Sequence, residues 1–136
     1  MRIRAQDLEA MWRTVWGEAR GEPHLGKVTV AHVILNRAAL QGWMGRTPYA
    51  VCHKRRQFSC WNADDPNSAK AAGVGIGKPS ALNALFAVTR VLSGRVADPT
   101  DGATHYYAFR AIARPRWAAT MRETCRIGGH AFLKRT

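Results

Sequence analysis

The sequence predicts a mainly helical α+β fold. Three segments whose apolar residues recur at intervals of three and four predict helices, and a later aromatic-rich segment predicts a small antiparallel β element. The chain has 136 residues, which is enough for one domain with a substantial core and too few for two ordinary domains. We therefore expect residues 1–136 to form a single domain.

The first predicted helix runs from about Asp7 to Arg20. Its apolar residues recur at helical spacing and form one stripe: Leu8, Met11, Trp12, Val15 and Ala19. Gly21 and Pro23 follow. A glycine that accepts a left-handed conformation, followed by a proline, is a common helix stop.

Glu18 lies in the last turn of this predicted helix, on the side of the apolar stripe. Partial burial disfavours a charged carboxylate, and the unsatisfied carbonyl groups at a helix C-terminus repel it. Both effects raise the pKa of a carboxyl group, which can then donate a proton to a glycosidic oxygen. We interpret Glu18 as a candidate general acid. The alternative is a surface glutamate paired with Arg20 or Lys27.

Two further helices are predicted, one from about Gly26 to Leu40 and one from Pro79 to the glycine at position 94. The first has a broad apolar arc, which is typical of a central, largely buried helix. We interpret His32 within it as a core histidine. Asn36 and Arg37, near its end, are expected to hold a loop or to complement the helix dipole.

The segment between these helices, residues 42–78, is predicted as a loop region, in which functional groups often concentrate. Gln57, Ser59 and Asn62 offer hydrogen bonds, as a sugar-binding cleft requires. Phe58 and Trp61 offer flat apolar faces. The alternative is that these two aromatic residues only anchor the loop.

The remaining structure is predicted to be a small β element. The aromatic density of residues 104–109 predicts a strand. A last short strand or turn over residues 129–133 is expected to pair with it across Trp117. No internal repeat or linker is visible in the sequence.

The chain is strongly basic, with 21 Lys and Arg against 9 Asp and Glu and a formal net charge of +12. Such a field attracts polyanions. A nucleic-acid-binding domain is therefore an alternative class, although no helix-turn-helix, zinc-finger or RNP pattern is present. Its phosphate contacts would be arginines: Arg55, Arg56, Arg110, Arg114, Arg116 and Arg122.

The cysteines and histidines predict neither a metal nor a cofactor. Cys52, Cys60 and Cys125 form no Cys-x-x-Cys pair, and the five histidines are scattered. We interpret the cysteines as small buried thiols in a reducing compartment. A zinc amidase is a third alternative, and it requires a metal site assembled in space.

No feature predicts membrane insertion or secretion. No apolar run approaches the roughly 18 residues that span a bilayer, and the N-terminal residues lack a secretory signal pattern. We therefore expect synthesis in the cytoplasm without a signal peptide.

Several motifs, taken together and in order, resemble the SleB/CwlJ-type cell wall hydrolases, which include spore cortex-lytic enzymes and related phage and proteobacterial proteins. The motifs lie at residues 15–23 (VWGEARGEP), 26–28, 33–37, 57–62 (QFSCWN), 98–100 (DPT), 105–107 (HYY), 117 and 127–132 (IGGHAF). The resemblance implies a lysozyme-like domain that cleaves peptidoglycan glycan strands, with Glu18 as the catalytic acid.

The resemblance also implies roles for residues around this acid. Gln57, Ser59, Tyr106 and Tyr107 would orient sugar rings and stabilise an oxocarbenium-like transition state. His130 would form hydrogen bonds within the site or have a structural role.

The cleavage between MurNAc and GlcNAc has two possible routes. Hydrolysis generally uses a second carboxylate roughly 5 to 9.5 Å from the acid, for which Glu22, Asp64 and Asp65 are the candidates. Lytic transglycosylation needs only Glu18, because the C6 hydroxyl of MurNAc closes on C1 and forms a 1,6-anhydro ring. We favour the route with a single acid. Glu22, beyond the predicted helix stop, suits a structural pairing with Arg20 or Arg37.

The expected partner is peptidoglycan, and no specific nucleic acid is expected. The positive charge would draw a monomer toward an anionic wall or lipopolysaccharide surface. A phage or prophage endolysin that accumulates in the cytoplasm and reaches the wall through a membrane lesion fits these features. A host enzyme exported by other means is the competing interpretation.

Overall fold

The computed structural model describes residues 1–55 and 57–136. Within these residues the chain forms five α-helices and one three-stranded antiparallel sheet. The elements are α1 (Ala5–Ala19), α2 (His24–Ala39), α3 (Pro48–His53), α4 (Asn67–Gly73), α5 (Pro79–Leu92), β1 (His105–Ala108), β2 (Met121–Ile127) and β3 (His130–Arg135). Short 3-10 helices span Ser59–Trp61 and Arg116–Thr120. The predicted mainly helical α+β class is confirmed. Arg56, one of the arginines of the nucleic-acid alternative, lies outside the described residues.

Helix α1 is the centre of the helical part of the molecule. It packs against the other four α-helices and against the first 3-10 helix. Its predicted apolar stripe is buried in the main core, in which Met11 and Val15 are fully enclosed. The helix stop differs from the prediction, because Gly21 does not adopt a left-handed φ. Instead, the backbone N–H of Arg20 donates to the Trp16 carbonyl oxygen at 3.2 Å.

The predicted loop region, residues 42–78, contains α3, the first 3-10 helix and α4. These short elements are held by polar side chains of α1. Arg13 donates to the carbonyl oxygens of Ala71 at 3.0 Å and Val74 at 2.7 Å, and so satisfies the C-terminus of α4. Buried Asp7 accepts a 2.9 Å hydrogen bond from the Tyr49 backbone N–H in the first turn of α3. The described residues of this region therefore contain more regular structure than the sequence pattern predicts.

The sheet has the strand order β1-β3-β2. Tyr106 in β1 pairs with Phe132 in β3, which confirms the predicted pairing of these two segments. Strand β2 was not predicted. A register shift between Glu123 and Cys125 interrupts its alternation and marks a β-bulge or similar irregularity.

Helix α2 connects the sheet to the helices. Val33 packs with Ala103 and Phe132 in a small buried cluster. The Asn36 side-chain amide donates to Asp98 Oδ2 and to the Ala103 carbonyl oxygen, both at 2.9 Å. The predicted loop-holding role of the Asn36-Arg37 pair is confirmed by these contacts and by the Arg37 contact described below.

Among the described residues, no helix combines the length and the apolar character that a membrane span requires.

Candidate active site

Glu18 lies where the helical part of the molecule meets the sheet. The Ser59 hydroxyl, at the start of the first 3-10 helix, donates to Glu18 Oε2 at 3.4 Å. The Cys60 backbone N–H and the Tyr106 hydroxyl also lie near this carboxylate and lower its pKa. The carboxylate therefore has donors from two distant parts of the chain, residues 59–60 and strand β1.

Gly17 allows this close approach. A Cβ atom at Gly17 would lie 2.6 Å from the Cys60 Cβ and 2.8 Å from its Sγ, which is shorter than real Cβ contacts. The first 3-10 helix can therefore pack against α1 only because residue 17 has no side chain. This packing places the Ser59 hydroxyl against the Glu18 carboxylate.

Burial raises the pKa of the Glu18 carboxyl above its ordinary value of 4.5. Hydrogen bonds from Ser59 and Cys60 oppose the shift, whereas the negative charge of Asp65 adds to it. Burial also raises the pKa of the Tyr106 hydroxyl, so Tyr106 remains a neutral donor. Glu18 thus keeps its proton to a higher pH than an exposed glutamate, as a general acid requires.

The other candidate carboxylates are engaged in different contacts. Glu22 Oε1 lies 3.7 Å from His130 Nδ1, so its partner is not Arg20 or Arg37 as predicted. Arg20 instead donates to the Asn67 side chain at 2.8 Å. Glu22 therefore connects the end of α1 to the first residue of β3, consistent with a structural role.

The two loop aspartates differ in their surroundings. Asp64 is exposed, whereas Asp65 is half-buried and accepts the Asn67 backbone N–H at 2.8 Å, near the start of α4. Of the three candidate second carboxylates, Asp65 is the one whose charge affects the pKa of Glu18.

Phe58 and Tyr107 are placed differently from the prediction that they contact substrate. Phe58 is 1% exposed and lies under the Arg37 guanidinium, whose carbon is 4.7 Å from the ring centroid. Tyr107 is 8% exposed and packs with Ala118 and Leu133, because successive strand residues point to opposite faces of the sheet. Both rings therefore belong to the core and present no free face to a sugar.

Trp61 and His130, which are also predicted site residues, differ in their contacts. Trp61 is half-buried and donates its indole N–H to Thr14 Oγ1 at 2.8 Å. His130 packs edge-on against Tyr106, with ring centroids 5.1 Å apart. His130 thus contacts a neighbour of Glu18 and is held on its other side by Glu22.

Residues 57–62, called the Ser59 segment below, contribute to two surface cavities. One, of about 410 Å³, is lined by residues that include Gln57, Tyr106 and Trp117. The other, of about 640 Å³, is lined by residues that include Trp61 and Asn62. Ser59, which contacts Glu18, lies between Gln57 and Trp61 in the sequence. The predicted polar and aromatic residues of this segment therefore reach both cavities.

Sequence reasoning missed most of the smaller cavity. Trp43, His105 and Arg135 line it together with Arg37, which was predicted only as a loop-holding or dipole-complementing residue. The His105-Tyr106-Tyr107 motif was the available signal for His105. Arg135 and Trp43 carry no local pattern that distinguishes them from other surface residues.

No group of three or more His, Cys, Asp and Glu side chains among the described residues is placed to hold a metal ion. The zinc site that the amidase alternative requires is therefore not found in this part of the chain. All three cysteines are free thiols. Burial raises the pKa of Cys52 to about 12, which makes that thiol unreactive.

The chain is similar in sequence to known proteins over most of its length. The chain is 34% identical over 128 residues to a spore cortex-lytic enzyme of Bacillus cereus, covering 94% of this chain and 44% of that protein. It is 32% identical over 127 residues to a spore cortex-lytic enzyme of Halalkalibacterium halodurans, covering 93% of this chain and 34% of the relative. The chain thus spans less than half the length of these curated relatives.

Two solved structures have the same fold. The catalytic domain of the Bacillus cereus SleB protein matches with a TM-score of 0.76 and 30% identity, over 98% of this chain and 93% of that one. The catalytic domain of the germination-specific lytic transglycosylase SleB from Bacillus anthracis matches with a TM-score of 0.74 and 29% identity, over 97% of both chains. The predicted lysozyme-like class and SleB resemblance are confirmed.

A family model described as Cell Wall Hydrolase matches residues 21–133. The matched range begins three residues after Glu18, so the proposed role of Glu18 rests on its geometry and on the motif around it. The range includes the Ser59 segment, Tyr106 and His130. By this match, the chain belongs to the cell wall hydrolase family.

Proposed function

We propose that this chain cleaves peptidoglycan glycan strands between MurNAc and GlcNAc as a lytic transglycosylase, with Glu18 as its acid and base. The observation that carries the proposal is the Glu18 carboxyl, whose pKa is raised by burial and which faces the Ser59 and Tyr106 hydroxyls. The names of the relatives support the same class of substrate. The Bacillus anthracis neighbour is itself described as a lytic transglycosylase.

In the first step the protonated Glu18 carboxyl donates its proton to the glycosidic oxygen, and the bond from C1 of MurNAc to that oxygen breaks. Positive charge develops at C1 and the ring oxygen. The Glu18 carboxylate then accepts the proton of the C6 hydroxyl, whose oxygen bonds to C1. The product ends in 1,6-anhydro-MurNAc, and the second strand ends in GlcNAc.

The neighbours of Glu18 position this group for both steps. Ser59 and Tyr106 are proposed to orient the carboxylate after it has lost its proton, because their hydroxyls lower the pKa of Glu18 and so favour the charged form. Gln57, Trp61 and His130 are proposed to contact the sugar rings or to hold groups that do. The net charge of +12 raises the local concentration of the enzyme at an anionic wall.

Hydrolysis is the second candidate, and Asp65 is the residue that favours it. Its charge affects the pKa of Glu18, as a second carboxylate near the acid would. Against this role, Asp65 already accepts the Asn67 backbone N–H. The two routes differ in their products, because hydrolysis leaves a reducing MurNAc end that is one water heavier than the anhydro end.

Mass spectrometry of fragments released from purified peptidoglycan tests the proposal. The wild type should release anhydro ends, and Glu18→Gln should reduce the release about 10²- to 10⁴-fold, the usual contribution of a general acid or base. Glu9→Gln is the matched control, because Glu9 is an exposed carboxylate on the same helix. Reducing ends that disappear in Asp65→Asn would establish hydrolysis. Release that survives Glu18→Gln would exclude Glu18 as the acid.

A further inference from the structure

The smaller cavity contains a buried cation that the proposed proton transfer does not use. Arg37 lines this cavity and is only 5% exposed. Its Nε donates to the Thr104 carbonyl oxygen at 2.6 Å. Its Nη1 is buried without a hydrogen-bond partner among the described residues. A buried donor that lacks an acceptor is costly, so the Arg37 guanidinium has unused hydrogen-bonding capacity beside the cavity.

The charges around the cavity favour an anion. Arg135 lines it as a second cation, and the lining residues include no Asp or Glu among those described. Burial, together with the charges of Arg37 and Arg135, lowers the pKa of His105 to about 4. His105 is therefore neutral near pH 7, and the two arginines set the charge of the cavity.

The cavity is also suited to a sugar and adjoins the proposed acid. Trp43 and Trp117 line it and remain 57% and 45% exposed, which leaves ring faces free for a pyranose. Tyr106 lines the same cavity, and its hydroxyl lies near enough to Glu18 to lower the pKa of that carboxyl. A ligand in the cavity would thus lie beside the residue that contacts the proposed acid.

We propose that this cavity is a subsite for a muramyl residue and that its arginines bind a carboxylate of that residue. This inference rests on the proposed cleavage of peptidoglycan. GlcNAc has no carboxylate, whereas MurNAc has a lactyl group that ends in one or continues into a peptide stem with its own carboxylates. The planar guanidinium of Arg37 matches the geometry of a carboxylate. The subsite would therefore distinguish charged from neutralised muramyl residues.

Two pairs of purified glycan substrates test this specificity. One pair carries peptide stems, with carboxylates either free or methyl-esterified. The other pair has its stems removed, so that the lactyl carboxylate is free or esterified. We expect the wild-type kcat/KM to be at least about tenfold higher for the free acid in one pair or both, as for a hydrogen bond to a charged group. The pair with the larger ratio identifies the lactyl or the stem carboxylate as the ligand.

Arg135→Gln is the main variant, because Arg37 also supports the fold. Arg135 is exposed and pairs across the sheet with Met121, which lines the same cavity. Arg122 is the matched control, since it follows Met121 on β2 and points to the opposite face. We expect Arg135→Gln to lower the ratio of free-acid to ester kcat/KM about threefold, and Arg122→Gln to leave it unchanged.

The inference is overturned if the wild type cleaves free and esterified substrates equally, or if Arg122→Gln lowers the ratio as much as Arg135→Gln. The second result would assign the preference to general charge. Either result leaves the proposed function intact, because cleavage itself continues. The proposed function fails separately, if no glycan is cleaved or if cleavage survives Glu18→Gln.

Discussion

The helical part and the sheet part of this molecule are stabilised in different ways. The helices share one large core around α1, with α2 and α5 packed on it. The sheet has two small clusters, one around Tyr107 and Leu133 and one that includes Val33 of α2. Polar contacts from α2 supplement this packing. The proposed acid lies on the strongly packed part, and Tyr106 reaches it from the weakly packed part.

This difference in packing indicates that the helices and the sheet have different roles in the candidate site. A large core can keep the Glu18 carboxyl partly buried and so maintain its raised pKa. A sheet attached by fewer contacts can be altered in sequence, and so change the cavity around Arg37, without disturbing that core. Changes to the packing of the helices should therefore lower stability and activity together. Changes at the attachment of the sheet should affect activity more than the stability of the helices.

The largest expected effect is that of Gly17→Val. The new side chain would collide with Cys60 and displace the first 3-10 helix, at a cost of about 3 kcal/mol in the free energy of unfolding. Thermal unfolding and a wall-lysis assay should show loss of both stability and activity. Gly21→Val is the control, since no atom lies within 4 Å of a Cβ at that position. Equal effects at both glycines would contradict the close-packing interpretation of Gly17.

Asn36→Ala should weaken the attachment of the sheet. It removes two 2.9 Å hydrogen bonds, one of them to a charged carboxylate, and should cost about 2 kcal/mol. Hydrogen exchange should increase at the amides of β1 and β3 while α1 stays protected. Asn83→Ala, an exposed site on α5, is the matched control. Faster exchange in α1 as well would mean that the two parts unfold as one unit.

The loss of stability caused by Asn36→Ala should depend on pH. Burial by itself raises the pKa of Asp98, but hydrogen bonds from Thr100, Asn36 and Gly102 outweigh it and hold that pKa below 3.8. The stabilisation from the Asp98 carboxylate is therefore present above pH 3.8 and is lost as the pH falls through the folded-state value. Unfolding experiments should show the difference between wild type and Asn36→Ala shrinking in acid. A constant difference would exclude the charge of Asp98 as its source.

Glu18→Gln should increase stability while it removes activity. Because the folded-state pKa of Glu18 lies above 4.5, the charged form is disfavoured in the folded protein once the pH exceeds that value. The variant should therefore have a higher unfolding midpoint than the wild type at pH 7, and the gain should disappear below pH 4.5. A lower midpoint at pH 7 would mean that the carboxylate is stabilised by its surroundings.

The smallest expected effect is that of Ser59→Ala. The Ser59 hydroxyl lowers the pKa of Glu18 through its 3.4 Å hydrogen bond. Its removal should raise that pKa further and move the alkaline limb of the pH profile of kcat/KM to higher pH. Thr47→Ala, which removes a hydroxyl in the N-cap position of α3, should leave the limb in place. A limb that moves to lower pH in Ser59→Ala would contradict the assignment.

The secondary-structure elements of the molecule also differ in how well the sequence predicts them. Helix α1 was predictable because its apolar residues repeat over four turns. Helices α3 and α4 were not, because they are short and depend on distant polar groups such as Asp7 and Arg13. Strand β2 was missed because the register shift near Glu123 breaks the alternation that marks a strand.

The candidate site shows the same limit. Glu18 was identified from its position in a helix, and Ser59 and Tyr106 from motifs that could be recognised locally. The unpartnered nitrogen of Arg37 could not be anticipated, since it depends on Thr104, some 67 residues later in the chain, accepting only from Nε. Burial of Phe58 was equally hidden, because a loop residue and a core residue can share the same local sequence.

The central claim is that Glu18 is a carboxylic acid whose pKa lies above that of an ordinary glutamate. Carboxyl-carbon NMR of protein labelled at glutamate measures this directly, with the Glu18 signal assigned by its loss in Glu18→Gln. We expect the Glu18 signal to titrate above pH 4.5 and its midpoint to match the alkaline limb of kcat/KM. A midpoint at or below 4.5 would contradict the claim.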